Sequence, residues 1–331
     1  MSAESDQART WRPTGNIASA QRRARMLAAA RAFFAARRVL EVETPVLSPS
    51  AVSDPHIESI QVSLSIDSDA RYLHTSPEHC MKRLLCAGYP DIYSICKVFR
   101  DGEAGRMHQP EFTMAEWYRI GFGLNDMIAE TCDFIGALVE PDLLASQADS
   151  LEYSQAFITA TGVDPMQADL RTLADVADAD NHLRTEIGDE RDTWLDLIMS
   201  LKVAPSFARD RLTVVRHYPA SQAALARFCP DNERVSDRFE VFLGDLELAN
   251  GYVELLDADT QLQRWQNEQA RRRRSGQATR PLDYRLLEAL NHGMPPCSGV
   301  AVGFDRLVML NERCKDISLV QTFAFEGTIE P

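Results

Sequence analysis

The sequence predicts an α+β fold, an antiparallel β-sheet flanked by helices. Two observations carry that expectation. Strand-like runs come in pairs joined by polar, Gly-containing segments: "DIYSICKVFR" and "EFTMAEWYR" around "DGEAGRMHQ", then "RFEVFL" and "LELANGYVEL" around Gly244-Asp245. Helical patterns lie outside these pairs, so the βαβ rhythm and the G-x-G-x-x-G turn of a doubly wound parallel sheet are both missing.

With 331 residues, 45% of them apolar and 25% charged, the chain can bury a large core and lacks the composition of a disordered protein. A formal charge of −14 disfavours a general nucleic-acid binder, whose affinity rests on phosphate attraction. Seven cysteines without a C-x-x-C pair suggest neither a disulfide framework nor a zinc site. The start, "MSAESDQARTW", lacks the apolar segment of a signal peptide, and no run approaches a membrane span. The expectation is a reduced, soluble, cytoplasmic protein without a membrane segment.

Along the chain, "ASAQRRARMLAAARAFFAARRVL" places Leu27, Ala30 and Phe34 at helical spacing with arginines on the other face. The period switches to two in "LEVET" until Pro45 interrupts the strand. Ser76 and Pro77 open a second helix, with Glu78 in its first turn and Met81, Leu84 and Leu85 toward a core. "DIYSICKVFR" is apolar on both faces and reads as a central strand. On its partner, Phe112, Met114, Glu116 and Tyr118 share one face, and Thr113, Ala115, Trp117 and Arg119 the other. From residue 123 to about 215 the patterns are helical, without evident chemistry. Glu247 and Glu254 are an odd number of residues apart, so a bulge at Asn250-Gly251 is expected to bring both to one side. A basic helix, "QLQRWQNEQARRRRSG", then precedes a short strand with Val300 and Val302, a turn at Gly303, and a buried helix that Asp305 can cap.

Several placements carry chemistry. Arg100 ends a strand, a Gly-rich loop follows, and Phe112 stands on the returning strand. An aromatic face beside guanidinium forks suits a nucleotide, with a structural salt bridge as the plainer alternative. Arg306 lies in a first helical turn, where the positive dipole calls for a neutralising carboxylate or a phosphate. Glu247 can share Mg²⁺ with phosphates, because hard cations take carboxylate oxygens and keep several waters. Glu78, Glu116 and Glu254 sit on elements that read as buried, and they would repel one another unless a cation joins them. A substrate ammonium is one such cation, and an acidic substrate is disfavoured.

At these residues the chain resembles the class II aminoacyl-tRNA synthetases. "RRVLEVETPVL", "VFRDGEAGRMHQPEFTMAEWYR" and "GVAVGFDRLVML" are similar to motifs 1, 2 and 3, and "TSPEHCMKRLL" with "ELANGYVEL" resemble the lysyl branch. The resemblance begins at about residue 17 and runs through nearly the whole chain. "YPASQAALA" and "CSGVAVGFDR" agree with the elongation factor P (R)-β-lysine ligase family, truncated relatives that attach β-lysine to a lysine of a translation factor. The resemblance implies a flexible tail over 1–16, one catalytic domain over 17–331 without an anticodon-reading OB-fold, and a homodimer built on motif 1. It implies ATP and Mg²⁺, β-lysine and elongation factor P as partners, and an aminoacyl adenylate as intermediate.

By motif position, Arg100 would hold the α-phosphate, Phe112 would stack on adenine, Glu247 would bind ATP and metal, and Arg306 would hold the γ-phosphate. Asp101, Gly102, Glu103, His108, Gln109, Leu248 and Gly303 would complete the ATP site, and Ser76, Pro77, Glu78, Glu116, Tyr118, Glu254 and Ala301 the amino-acid pocket. Three positions depart from the pattern. Gly102 stands where motif 2 commonly has Glu, which follows only at Glu103; Gln109 replaces Asn; Ala301 replaces Gly. The rival expectations are a tRNA-charging lysine enzyme, an asparagine synthetase-like enzyme and an inactive synthetase-like regulator. Arg271–Arg274 and the arginines between 22 and 38 either steer an acidic partner or form solvated basic faces.

Overall fold

Computed as a structural model, the chain is described over residues 11–54 and 56–325. In order, its elements begin with α1 (Ile17–Ala36), β1 (Leu40–Glu41), β2 (Leu47–Ser48), β3 (Gln61–Leu64), β4 (Asp67–Leu73), α2 (Glu78–Cys86), β5 (Ile92–Phe99), β6 (Glu111–Ile120), α3 (Leu124–Leu138) and β7 (Asp149–Glu152). Four short helices follow: α4 (Tyr153–Thr161), α5 (Leu170–Val176), α6 (Asn181–Ile187) and α7 (Arg191–Ile198). The chain then runs through β8 (Leu212–Arg216), β9 (Phe228–Cys229), β10 (Asn232–Ser236), β11 (Arg238–Leu243), β12 (Leu246–Val253), α8 (Ala258–Arg274), α9 (Tyr284–His292), β13 (Cys297–Gly303) and α10 (Phe304–Glu312).

Eight strands form one sheet in the order β1-β5-β6-β13-β12-β11-β8-β7. The six inner strands are antiparallel throughout. The short edge strands β1 and β7 pair in parallel, so the sheet is mixed and its antiparallel character belongs to the centre. The parallel edges follow from long crossovers, since β1 reaches β5 only after a three-stranded subsheet and α2. For the same reason β5 lies second from the edge rather than at the centre, where its apolar pattern would place it.

The alternation expected on β6 is present. Trp117 points to one side and is fully buried among Phe34 of α1 and Phe134 of α3, while Phe34 stacks on Tyr93 of β5 at 4.1 Å between centroids. This aromatic contact packs two helices on one sheet face and leaves the Glu116 face to other uses. A second core, with Tyr153, Phe157 and Trp194, joins the four short helices to Val215 and Phe242 of the sheet.

In the two basic segments some arginines are solvated and others are built into the fold. On α1, Arg22 pairs with Glu140 (2.6 Å) and Glu312 (2.7 Å), and Arg23 with Asp305 (2.6 Å). On α8, Arg272 is completely buried and bonds the carboxylate of Glu58 and the carbonyls of Asp54 (3.0 Å) and Ala278 (2.8 Å). Helical period explains this, because Trp265, Gln269 and Arg272 share the buried stripe while Arg273 and Arg274 face outward. Of the expected tail, residues 1–10 lie outside the described residues, as do 326–331 of the expected domain. Thr14 N–H is tied to the Thr322 carbonyl at 2.9 Å, and Asn16 caps α1 through Ser19 N–H (2.9 Å).

Arg272→Ala leaves the Glu58 carboxylate and two carbonyls short of donors, so it should cost about 3–5 kcal/mol of stability. Arg273→Ala should stay within about 0.5 kcal/mol. Urea denaturation midpoints of the two variants check the difference.

Candidate active site

The Glu116 face of β6 is the floor of a cavity of about 370 Å³. Sheet register sets its rows: Ser94, Glu116, Ala301, Asn250 and Glu240 lie side by side across five strands, and Ile92, Tyr118, Gly299, Tyr252 and Arg238 form the next row. The bulge on β12 is Leu248, the unpaired residue between the Val241–Ala249 and Phe242–Glu247 pairs. It therefore lies earlier than the expected Asn250-Gly251, yet it has the expected consequence. Glu247, Leu248, Asn250, Tyr252 and Glu254 all reach the cavity. Gly251 instead permits close packing, since a Cβ there would sit 2.5 Å from the Phe239 ring and 2.9 Å from the Gly299 carbonyl. Gly299 is equally confined, because a Cβ would run into the Tyr118 ring and come within 2.5 Å of Glu254 Oε1.

Helix α2 roofs one end. Pro77 is its N-cap and does not line the cavity, whereas Ser76 Oγ accepts the Glu78 N–H (3.0 Å) and donates to Glu116 Oε2 (2.7 Å). Tyr118 OH donates to Glu116 Oε1 at 2.7 Å. Burial, and then the nearby Glu78, push the Glu116 carboxyl up to about 8. The three expected carboxylates do converge, but the cation among them is already part of the protein. Lys82 Nζ lies 2.6 Å from Glu78 Oε1 and 2.6 Å from Glu254 Oε2. Its burial would depress the ammonium, but Glu254 and Glu78 outweigh this and hold it protonated. Burial raises Glu254 to about 7, against the pull of Lys82. Glu254 Oε1 has no hydrogen-bond partner among the described residues.

Arginines line the other end. The Arg100 guanidinium is 5.1 Å from the Phe112 ring centre and 3.6 Å from Glu103, and its buried Nε has no hydrogen-bond partner among the described residues. Arg306 donates to the Glu247 carbonyl (2.7 Å) and to His108 Nε2 (2.9 Å), and lies 3.6 Å from the Glu247 carboxylate. His108 is held neutral by burial and then by Arg306, which suits its role as acceptor. Gln109, Ala301 and Gly303 line the wall, and Gln109 Oε1 accepts the Phe325 N–H (2.9 Å). Asp101 and Gly102 stand outside. Asp101 N–H bonds the Glu58 carbonyl (2.8 Å), and Gly102 turns the loop at φ +76°, a conformation a Glu at that position would strain. The carboxylate near Arg100 is accordingly that of Glu103. Asp305 does not cap α10, whose N-cap is Gly303; it accepts Thr113 N–H (2.5 Å) and pairs with Arg23, locking the helix to β6 and α1.

Sequence reasoning missed Lys82, the Arg238–Glu240 pair and Glu268, all of which are close to the cavity or line it. Only Lys82 carried a signal, a charge four residues after Glu78 on a face otherwise made by Met81 and Leu85. Apart from this cavity, donor atoms of His217, Cys229 and Asp237 come within 4.8 Å of one another. His217 is engaged by Glu152 (2.7 Å) and Asp237 by Arg227 (2.7 Å). Chemically, the main cavity can hold a polyanion between Arg100 and Arg306 and, a few residues away along β6, a cationic group against carboxylates.

The family model of class II tRNA synthetases (D, K and N) matches residues 9–326. Among curated proteins, an elongation factor P (R)-beta-lysine ligase of Yersinia enterocolitica is 42% identical over 321 residues, covering 95% of this chain and 97% of the relative. Proteins of the same name from Yersinia pestis and Yersinia pseudotuberculosis are 41% identical over the same shares. No helix among the described residues is long and apolar enough to cross a membrane.

The raised carboxyls have a thermodynamic consequence. Between the ordinary carboxylate range and about pH 8 the unfolded chain has released protons that Glu116 still holds, so stability of the ligand-free protein falls as pH rises through that window. Glu116→Gln should raise the denaturation midpoint at pH 8.5 and leave it nearly unchanged at pH 5. Equal effects at both pH values would show that Glu116 is ionised throughout.

Proposed function

The chain belongs to the class II tRNA synthetase family (D, K and N), and on that premise we propose that it is an ATP-dependent ligase that activates (R)-β-lysine and transfers it to a lysine ε-amine of elongation factor P. One observation carries the reading beyond the family. A single cavity joins the arginine end to a buried carboxylate end, so a nucleotide and a diamino acid can meet in it.

In the first step a carboxylate oxygen of β-lysine attacks the α-phosphorus of ATP, and pyrophosphate leaves. Arg100 neutralises charge on the α-phosphate and Phe112 packs on the adenine, while Arg306, oriented by His108 and the Glu247 carbonyl, takes the γ-phosphate. Glu103, which lines the cavity 3.6 Å from Arg100, would read the adenine amine in place of Gly102; Gln109, Leu248 and Gly303 shape the wall. In the second step the neutral ε-amine of the acceptor attacks the acyl carbon, the bond to the phosphate oxygen breaks, AMP leaves, and the nitrogen loses its extra proton. Catalysis is mostly positioning. Ser76 and Tyr118 fix Glu116, and Glu78, Glu116 and Glu254 receive the two substrate ammonium groups.

The donor set fits Mg²⁺. Glu247 is 43% exposed beside Arg306, and Asn250 Oδ1 on the same wall is buried without a hydrogen-bond partner among the described residues. One or two protein oxygens plus phosphates are what this ion takes, and it would supply charge neutralisation to the leaving pyrophosphate. Homodimerisation through the motif 1 region accounts for the exposure of Leu40 (45%), Val46 (37%) and Leu47 (42%).

The deciding experiment is the intact mass of elongation factor P after incubation with the chain, Mg-ATP and (R)-β-lysine, beside α-lysine and a tRNA control. A β-lysyl increment on the factor with uncharged tRNA is expected; charging of tRNA instead would overturn the reading. Arg306→Ala should lower amino-acid-dependent pyrophosphate exchange about 10²–10³-fold. Ala301→Gly, which removes a methyl group from the row holding Glu116, should shift preference toward α-lysine, and unchanged preference would free Ala301 of a selective role.

A further inference from the structure

The mechanism above uses three carboxylates and leaves Lys82 unexplained. We infer that Lys82 is a positioning residue whose ammonium fixes both the net charge of the amino-acid pocket and the separation of Glu78 from Glu254, making the pocket selective for a substrate with two ammonium groups. The inference rests on the reading of the site as an amino-acid pocket and adds a residue to it.

The geometry is that of a strut. Lys82 is 1% exposed, and its Nζ spans from Glu78, one turn earlier on α2, to Glu254, just after β12 on the sheet floor, 2.6 Å from each. Each carboxylate gives Lys82 one oxygen and keeps the other, and the free Glu254 Oε1 lies against the cavity wall at Gly299. Glu116 has no ion pair among the described residues and is held by two hydroxyls. Near neutral pH Glu116 retains its proton, and an incoming ammonium displaces it; with all three carboxylates then ionised, the cluster carries three negative charges and one positive, a deficit of two. Two substrate ammonium groups cancel it, while the substrate carboxylate turns toward the nucleotide. A mono-amino acid would leave one buried charge uncompensated, which is costly. Without Lys82 the deficit would be three, and nothing would hold Glu78 and Glu254 together.

Lys82 also decides when Glu254 ionises. The groups facing Glu254 are Glu78 and Lys82 from α2, with Cys86 close to the ammonium, Glu116 and Tyr118 from β6, Cys297 from β13, and Tyr252 on its own strand. Lys82 is the cation in that set. Its loss raises the carboxyl further, so that the form able to take an ammonium forms only at more alkaline pH.

The test uses the full chain and amino-acid-dependent pyrophosphate exchange across pH 6.5–9.5, beginning with the unaltered protein. Absence of exchange there with any diamino acid would sink the functional reading, and the inference with it. Given exchange, Lys82→Met should raise KM for the diamino acid about tenfold or more, leave KM for ATP within about twofold, and move the acid limb of kcat/KM upward by about one pH unit. A folded Lys82→Met variant with unchanged amino-acid KM and an unmoved limb would overturn the inference while leaving the ligase reading intact. Lys82→Arg keeps the charge and changes the span, so it should raise KM with the acid limb in place. Should the Met variant not fold, the Arg variant decides: an unchanged KM, or a shifted limb, overturns the assignment.

Discussion

Three converging carboxylates, the half-buried Glu78 and the buried Glu116 and Glu254, with one buried ammonium between two of them, are the constraint on which this site depends. Glu78 stands on α2, Glu116 on β6 and Glu254 just after β12, so the cluster ties the roof of the cavity to two strands of its floor. Buried charge is expensive unless it is paired, and Lys82 pairs two of the three. The third, Glu116, meets the cost by retaining a proton near neutral pH, with two hydroxyls fixing its oxygens. Ligand-free, the pocket is therefore less stable than an apolar one of the same shape. On the proposed reading an incoming diamino acid supplies the missing cations, and relief of the carboxylate repulsion becomes part of its affinity.

The sheet makes this arrangement possible through small residues and one irregularity. Glu116 and Asn250 flank Ala301, and Tyr118 and Tyr252 flank Gly299, so the middle strand forms a shallow trough between larger side chains. Gly299 cannot carry a side chain without displacing Tyr118 or Glu254. The bulge at Leu248 then lets Glu247 and Glu254 serve one cavity although regular alternation would separate them. On the proposed reading, specificity at the amino-acid end thus begins with the small residues Gly299 and Ala301 on β13.

Much of this was legible in the sequence because it follows from period and local chemistry. The two faces of β6, the helix opened by Ser76 and the hairpin at Gly244 rest on spacing that survives folding, while the convergence of Glu78, Glu116 and Glu254 was legible from acids on buried elements and from the motifs they belong to. What was not legible depends on contacts between distant segments. The bulge was expected at Asn250-Gly251 because Asn-Gly is a turn signal, but Gly251 is glycine for the sake of the Phe239 ring twelve residues earlier. Asp305 looked like a cap and instead bonds Thr113, a partner no local pattern names. Gly102 looked like a lost glutamate and proves to be a left-handed turn, with Glu103 carrying the carboxylate toward Arg100. Lys82 was overlooked because a lysine four residues after a glutamate usually marks a solvated helix face, and only tertiary burial tells the two cases apart.

Of the arginines that the sequence offers either for steering an acidic partner or as solvated basic faces, several are tied up within the fold. Arg272 belongs to the core, Arg271 reaches Glu190 (3.4 Å) and Asp192 (4.0 Å), and on or beside α1 Arg22, Arg23, Arg31 and Arg37 are all ion-paired. Paired charges cancel beyond a Debye length, so these arginines add little positive field, and any long-range steering of an acidic protein falls to the exposed Arg25, Arg38, Arg273 and Arg274. On the proposed reading the acceptor group is a lysine side chain, and it enters a cavity whose wall adds Asp54 and the half-buried Glu268 to the three pocket carboxylates. Attraction of that one cation into an anionic cleft operates at short range, where burial strengthens it and salt screens it least. On the proposed reading, recognition of the acceptor is concentrated at the cavity mouth, and the basic helix end contributes mainly by holding that mouth in shape through Arg272 and Glu58.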